Sequence, residues 1–336
     1  MSLPRRPLGQ TGIEVSRLCY GSLTLGPAQA NLSPERGGEL LAHAFARGVN
    51  FVDTAELYET YPHIRAALRT VAVPPVIASK CYAYDRETAR RSFDQARLAL
   101  DLDVIDLFLL HEQESTLTLD GHRAAFTFFH EQKEKGLIRA IGISTHAVEP
   151  VRALAQAKLG RGDALWHDLD IGLYQEADVI HPMLNWRGLG LIDGTAEDMV
   201  AATWEAAAAG LGLYGMKMLG GGHFLQDFDA ALAFALAQDQ VAAYAVGMQS
   251  EAEIDMNIAL FSGLPVDPAD LAATRGRSRR LVVSDWCTGC GACVDHCASR
   301  ALSLTSSDGK VKVDPDRCVL CGYCAYACRD FALKVV

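Results

Sequence analysis

From Leu18 to Phe261 the pattern of apolar and polar positions switches repeatedly between two types. Short β-rich runs read as strands: Leu18–Leu23, Asn50–Asp53, Pro75–Ser79, Val104–Leu110, Ile138–Ser144, Trp166–Gly172, Gly212–Met216 and Ala242–Gly247. Between and after them lie helical stretches: Pro34–Arg47, His63–Thr70, Glu87–Leu100, Gly121–Lys135, Val148–Ala157, Ala196–Ala209, Asp229–Ala237 and Glu251–Phe261. Strict alternation of strand and helix predicts a parallel sheet with helices outside. Eight repeats in about 250 residues predict a closed (β/α)8 TIM barrel, with an open doubly wound sheet as the alternative. The segment Leu8–Arg17, with its Gln-Thr-Gly turn, predicts a small hairpin closing the barrel floor.

Composition narrows the class. The 336 residues allow two or three domains. Half are apolar and 21% are charged, which excludes a disordered or collagen-like chain. A net charge of -10 argues against nucleic acid or an anionic membrane as partner. No apolar stretch near the N-terminus has signal-peptide length, and none reaches the ~18 residues of a spanning helix. The expectation is a soluble, cytoplasmic protein.

The ten cysteines are spread unevenly. Cys19 and Cys81 stand alone and read as buried thiols, whereas the other eight fall between Cys287 and Cys328. In a cytosolic chain such clustering signals metal rather than disulfides. The expected organisation is a barrel over residues 1–265, a linker over 266–280 and a metal module over 281–336. The linker carries Arg275, Arg277, Arg279 and Arg280. Short and without interleaved aromatics, this run reads as a solvated connection or a dock onto the acidic barrel.

Within the module, Cys287, Cys290, Cys293 and Cys297 form C-x2-C-x2-C-x3-C, and Cys318, Cys321, Cys324 and Cys328 repeat it 31 positions later. Asp285 and Asp316, Gly291 and Gly322, and Ala301-Leu302 and Ala332-Leu333 keep the same offset. Asp308-Gly309 marks a hairpin between the halves. Structural zinc prefers two separate pairs of ligands, so three cysteines in one tight loop suit it poorly. The two halves resemble a bacterial two-cluster ferredoxin, a small α+β domain with two [4Fe-4S] clusters. The resemblance implies that the fourth cysteine of each run serves the other cluster. One cluster would take Cys287, Cys290, Cys293 and Cys328, the other Cys318, Cys321, Cys324 and Cys297. Ala298 and Arg329 stand where such ferredoxins carry proline. Six Asp balance six Lys and Arg in the module, so clusters of about −2 each would make it acidic and favour a low potential. Trp286 and Tyr323 beside the ligands read as packing residues.

Four polar residues fall at expected strand ends. Asp53 and Tyr58 follow the second strand, Lys80 the third and His111 the fourth. The C-terminal mouth of a barrel is where chemistry collects. Alone, each also reads as a cap or a structural ion pair. Asp53-Thr54-Ala55-x-x-Tyr58, the strand-ending Lys80 and the strand-ending His111 resemble the catalytic tetrad of the aldo-keto reductase superfamily. Gly142-Ile143-Ser144 and Asn257 are further matches, and with the ferredoxin-like tail the chain resembles the superfamily's iron–sulfur subgroup, which also carries phrases like Gly142-Ile143-Ser144-Thr145-His146 and Met216-Lys217. The resemblance implies carbonyl reduction or alcohol oxidation of a small molecule. Tyr58 would be the acid, Lys80 the charge favouring its phenolate, Asp53 the partner of Lys80, and His111 the carbonyl-orienting group.

The resemblance also implies a nicotinamide site at Ser144, Met216, Lys217, Gly247 and Asn257. Met216 and Lys217 stand in place of the family's stacking aromatic. Gly247 and Glu253 stand in place of the cations that grip a 2′-phosphate, which disfavours NADP(H). Gly220-Gly221-Gly222 reads as a pyrophosphate turn or a plain tight loop. His181, Asn185, Trp186 and Arg187 read as a substrate loop or ordinary packing. Two further readings accompany the nicotinamide-linked reductase. The clusters could pass single electrons from a ferredoxin or other donor to the substrate without nicotinamide, or the chain could be a non-catalytic electron carrier.

Overall fold

The structure, a computed structural model, describes residues 3–27, 29–161, 172–225, 227–275, 280–297, 300–305, 307–315, 317–318 and 323–335. Eight parallel strands close into a barrel in sequence order: Leu18–Gly21, Phe51–Asp53, Val76–Cys81, Ile105–Leu110, Ile138–Thr145, Val179–Pro182, Gly212–Met216 and Ala243–Val246. The last closes on the first with Tyr244 opposite Leu18. The expected strand Trp166–Gly172 falls on residues outside the described set, except Gly172, which opens a 3-10 turn over Gly172–Glu176. The sixth barrel strand is instead Val179–Pro182. Asp178 pins its entry: its carboxylate accepts both the Lys133 ammonium, at 2.6 and 2.7 Å, and the Ile141 amide, at 3.0 Å. Gly142 makes the pairing with this strand close. A Cβ there would lie 1.8 Å from the Val179 carbonyl oxygen.

Two apolar layers follow from the alternation of side chains in each strand. Phe51, Leu107, Leu109, Ala140, Val179 and Tyr214 fill the barrel, and Leu8, Ile13 and Val15 of the opening hairpin plug its floor. A larger layer joins the outward strand faces to the helices. Asp85, Ser115 and Thr195 each close a capping box at a helix start. The expected helix Gly121–Lys135 is two helices, Thr116–Gly121 and Arg123–Glu134, broken at His122. Residues 268–275 of the connection form a helix that packs on Glu251–Phe261. No described helix is long and apolar enough to cross a membrane.

The described residues of the C-terminal module form two antiparallel ribbons and two short helices. Leu281–Val283 pairs with Leu333–Val335, tying the module's start to its end. Leu302–Leu304 pairs with Val311–Val313 across the Asp308-Gly309 turn. The 31-residue repeat is visible in the backbone. The Arg300 amide bonds to the Cys297 carbonyl at 2.9 Å and the Phe331 amide to that of Cys328 at 3.2 Å. Arg300 and Phe331 both take left-handed backbone, φ 52° and 50°. The second turn thus forms with Arg329 in the proline position, and Ala298 lies outside the described residues.

Candidate active site and cluster module

Asp53, Lys80 and His111 reach the barrel's C-terminal mouth from three successive strands, with Tyr58 in the short turn Glu56–Tyr58 beyond the second. Lys80 sits inside its strand, one residue before the end, so its side chain rises through the barrel. The buried ammonium donates to Asp53 Oδ1 at 2.6 Å and to the Thr54 carbonyl at 2.8 Å. It lies 5.0 Å from the centre of the Tyr58 ring. The rings of Tyr58 and His111 meet edge to face at 5.7 Å, and Tyr82 stacks on His111 at 4.5 Å.

The field at this site departs from the expectation for Tyr58. Lys80 is spent on Asp53 and Thr54. Burial, and then the charges of Asp53, Glu112 and Tyr82, hold the Tyr58 phenol well above its ordinary 10. Burial, and then Lys80, His146, His181 and Lys217, hold His111 well below 6.5. At neutral pH both are uncharged hydrogen-bond donors. His111 Nδ1 is buried without a hydrogen-bond partner, so no neighbour locks its tautomer.

Two further residues join Asp53. The Tyr214 hydroxyl donates to Asp53 Oδ1 at 3.0 Å, and His181 Nε2 stands 3.6 Å from the same oxygen. The His181 ring stacks on Tyr214 at 3.8 Å, and burial takes its pKa down to about 4. His181 therefore belongs to the barrel interior, not to a substrate loop. The loop beyond it packs on itself: Asn185 bonds to Leu189, and Arg187 lies 4.3 Å from the Trp186 ring and pairs with Asp227. Tyr214 carried no sequence signal, because its partner is 161 positions away. Asp53→Ala strands a buried ammonium and is expected to cost about 3–5 kcal/mol. Asp53→Ala combined with Lys80→Met should recover most of it. Thermal unfolding of the cluster-loaded chain checks both, and equal losses would refute the pairing.

The five residues expected at a nicotinamide are largely occupied. Ser144 Oγ accepts the Glu112 amide at 2.8 Å. Asn257 is buried and donates to the Glu253 carbonyl at 2.7 Å. A Cβ on Gly247 would lie 2.0 Å from Thr24 Cγ2. The Met216 carbonyl accepts the Leu184 amide at 3.1 Å. Lys217 is roofed by the C-terminal module: the buried Phe331 ring lies 4.5 Å from its ammonium. Phe331 fills a notch at Gly190, where a Cβ would meet its ring at 1.7 Å, stands 3.8 Å from where a Cβ on Gly221 would lie, and is 6.2 Å from the His146 ring. Phe331 was not foreseen, being more than a hundred positions from Lys217. In this arrangement the residues present do not form an open cradle for nicotinamide.

The cysteines do fit a cluster. Cys287, Cys290 and Cys293 line one cavity together with Cys328 from the other half. Burial, and then charge on Cys328, Cys287 and Cys290, push the Cys293 thiol up to about 11, so the thiols crowd one another. Among the described residues no three His, Cys, Asp or Glu converge as a single ion would require. The Cys297 and Cys328 sulfurs accept the Ala301 and Ala332 amides at 3.3 and 3.2 Å, again 31 residues apart. Cys318 and Cys324, expected in the second set, are free thiols, the first half-buried and the second buried, and Cys321 lies outside the described residues. Cys19 and Cys81 are buried free thiols.

Comparison with known proteins agrees with this geometry. Residues 17–229 match the Aldo/keto reductase family, and residues 286–331 match a 4Fe-4S dicluster domain. The chain is 24% identical over 291 residues to L-galactose dehydrogenase of Arabidopsis thaliana, covering 77% of this chain and 88% of that protein. It is 24% identical over 168 residues to 6-dehydroglucose reductase of Novosphingobium aromaticivorans, covering 44% of this chain and 54% of that one. A Pseudomonas aeruginosa structure described as an aldo-keto reductase aligns over 78% of this chain and 96% of its own, with TM-score 0.62 and 26% identity. The holo form of an aldo-keto reductase from Bacillus halodurans, 18% identical over 81% of this chain and 95% of its own, shares the fold with TM-score 0.58.

Proposed function

The chain belongs to the aldo/keto reductase family, and from that premise we propose that it is an iron–sulfur oxidoreductase interconverting a small carbonyl compound and its alcohol, with Tyr58, Lys80, Asp53 and His111 as its machinery. The observation that carries this reading is the meeting of Tyr58 and His111 at the barrel mouth, beside the buried Lys80–Asp53 pair. Reducing a carbonyl takes two electrons and two protons. As charge grows on the oxygen, the protonated Tyr58 supplies the oxygen's proton and neutral His111 donates a hydrogen bond to the same oxygen; the hydrogen on carbon would arrive with a hydride or, with clusters as the electron source, as a proton from solvent. Lys80 lies 5.0 Å from the centre of the Tyr58 ring with its charge held by Asp53 and Thr54, so it fixes this wall of the site. Asp53 is a positioning residue, fixed in turn by Tyr214.

The seat of Phe331 favours one of the earlier alternatives over hydride transfer. Two clusters would supply the electron pair one electron at a time, fed by a ferredoxin or other donor. Cys328, a proposed cluster ligand, stands three positions from Phe331, whose ring rests against Lys217 and His146. We therefore expect the anaerobically purified chain to show no saturable binding of NADH or NADPH below about 1 mM. Phe331→Ala should open the site. NAD(H) should then bind at least as well as NADP(H), because Gly247 offers no charge and the Glu253 carboxylate would face a 2′-phosphate. Isothermal titration with both nucleotides decides it. Tight NADPH binding by the unmodified chain would overturn this source of electrons and return the chain to hydride chemistry.

A further inference from the structure

The junction between the barrel mouth and the C-terminal module gathers more positive charge than it balances. Lys217 follows the seventh strand, and Lys334 lies in the module's last strand with 5% of its surface exposed. Lys217 Nζ contacts the Phe331 ring, and Lys334 Nζ lies 5.5 Å from the Trp286 ring. Among the described residues neither ammonium has an ion pair. His146, at the end of the fifth strand, has Nε2 buried without a hydrogen-bond partner. Glu112 is the carboxylate that offsets this group. One of its oxygens stands 3.8 Å from His146 Nε2 and the other accepts the Tyr82 hydroxyl at 2.5 Å.

The backbone is strained at the same spot. Glu112 and Lys217 both hold left-handed conformations without being glycine, at φ 48° and 61°. Such conformations persist where surrounding packing imposes them, and they collect at ligand sites. A buried ammonium with no carboxylate in direct contact is costly, and Glu112 offsets two lysines with a single charge. Burial and Lys217 lower Lys334 to about 7, and burial lowers Lys217 as well. An arriving anion would reverse both effects and supply the missing partner for His146.

We propose that Lys217 of the barrel and Lys334 of the cluster module, together with His146, on which both charges act, bind an oxyanionic group, carboxylate or phosphate, on the carbonyl substrate. The inference deepens the reductase reading and rests on it for the word substrate. It makes the cluster module part of the substrate pocket. It also makes Lys217 and Lys334 specificity determinants, distinct from the residues that move the proton.

The test uses the full-length, cluster-loaded chain, titrated calorimetrically with succinate, with inorganic phosphate, and with succinamide as the neutral counterpart of succinate. At least one anion should bind, and succinamide should bind at least tenfold more weakly than that anion. Lys334→Met and Lys217→Met should each weaken that anion at least tenfold, and Lys334→Arg, which keeps the charge, should weaken it less than Lys334→Met does. The stronger of the two anions tells carboxylate from phosphate. Should Lys334→Met fail to load clusters, Lys217→Met gives the same readout from the barrel side. Silence with both anions, equal binding of succinamide, or unchanged affinity in the methionine variants would overturn the proposal. Because binding is read without turnover, the anion pocket and the carbonyl chemistry can fail separately.

Discussion

Replacing Tyr58 by phenylalanine should lower turnover at least ~100-fold while leaving substrate affinity within about threefold, the signature of a lost general acid. The substitution removes one oxygen and keeps the ring that packs against His111 and under the Lys80 ammonium. The effect should be large because no other phenol stands equally close to both. Tyr82 stacks on His111, but its hydroxyl is committed to Glu112. Tyr214 is committed to Asp53. Single-turnover reduction with dithionite-reduced protein separates the chemical step from electron supply. Near-parental turnover in Tyr58→Phe would remove Tyr58 from the role of proton donor.

The second large effect concerns iron. The intact, anaerobically purified chain should carry about eight irons, as two four-iron clusters, and Cys328→Ala should carry about four. That loss alone would not say which cluster Cys328 serves, so double variants are needed. Cys287→Ala with Cys328→Ala should still hold about four irons, because both residues line one cavity. Cys318→Ala with Cys328→Ala should hold almost none. The opposite pattern would show that each run of four cysteines holds its own cluster. Zinc in place of iron would sink the cluster assignment altogether. Cys81→Ala, which alters a buried thiol on the third barrel strand, should leave the iron content unchanged.

Much of this architecture was legible in the chain, and the reasons are local. A strand followed by a helix needs only its own apolar pattern and caps, so seven of the eight barrel strands fell close to their expected places. The sixth was missed because Val179–Pro182 is four residues long and ends in proline. Its position is set by register with Gly142 and by the Asp178–Lys133 pair, neither of which leaves a periodic signal. The expected helix Gly121–Lys135 failed at His122 for a similar reason: its apolar pattern runs on while the backbone breaks.

The sequence by itself determined the family, the presence of a 4Fe-4S domain and which residues are candidates for the chemistry. Asp53, Tyr58, Lys80 and His111 announce themselves because a barrel delivers successive strand ends to one mouth. The cysteines do so because a cluster needs ligands at fixed short spacing and the duplication repeats it. The sequence could not say how these parts face each other, since such contacts join residues with no shared local pattern. Tertiary structure alone decided that Lys80 spends its charge on Asp53 and Thr54. It also decided that burial and nearby carboxylates raise Tyr58, and that His181 points inward. Above all it decided that Phe331 of the cluster module closes over Lys217. A charge or ring acquires its role from what is packed within a few ångströms of it, and here those neighbours come from the two ends of a closed fold.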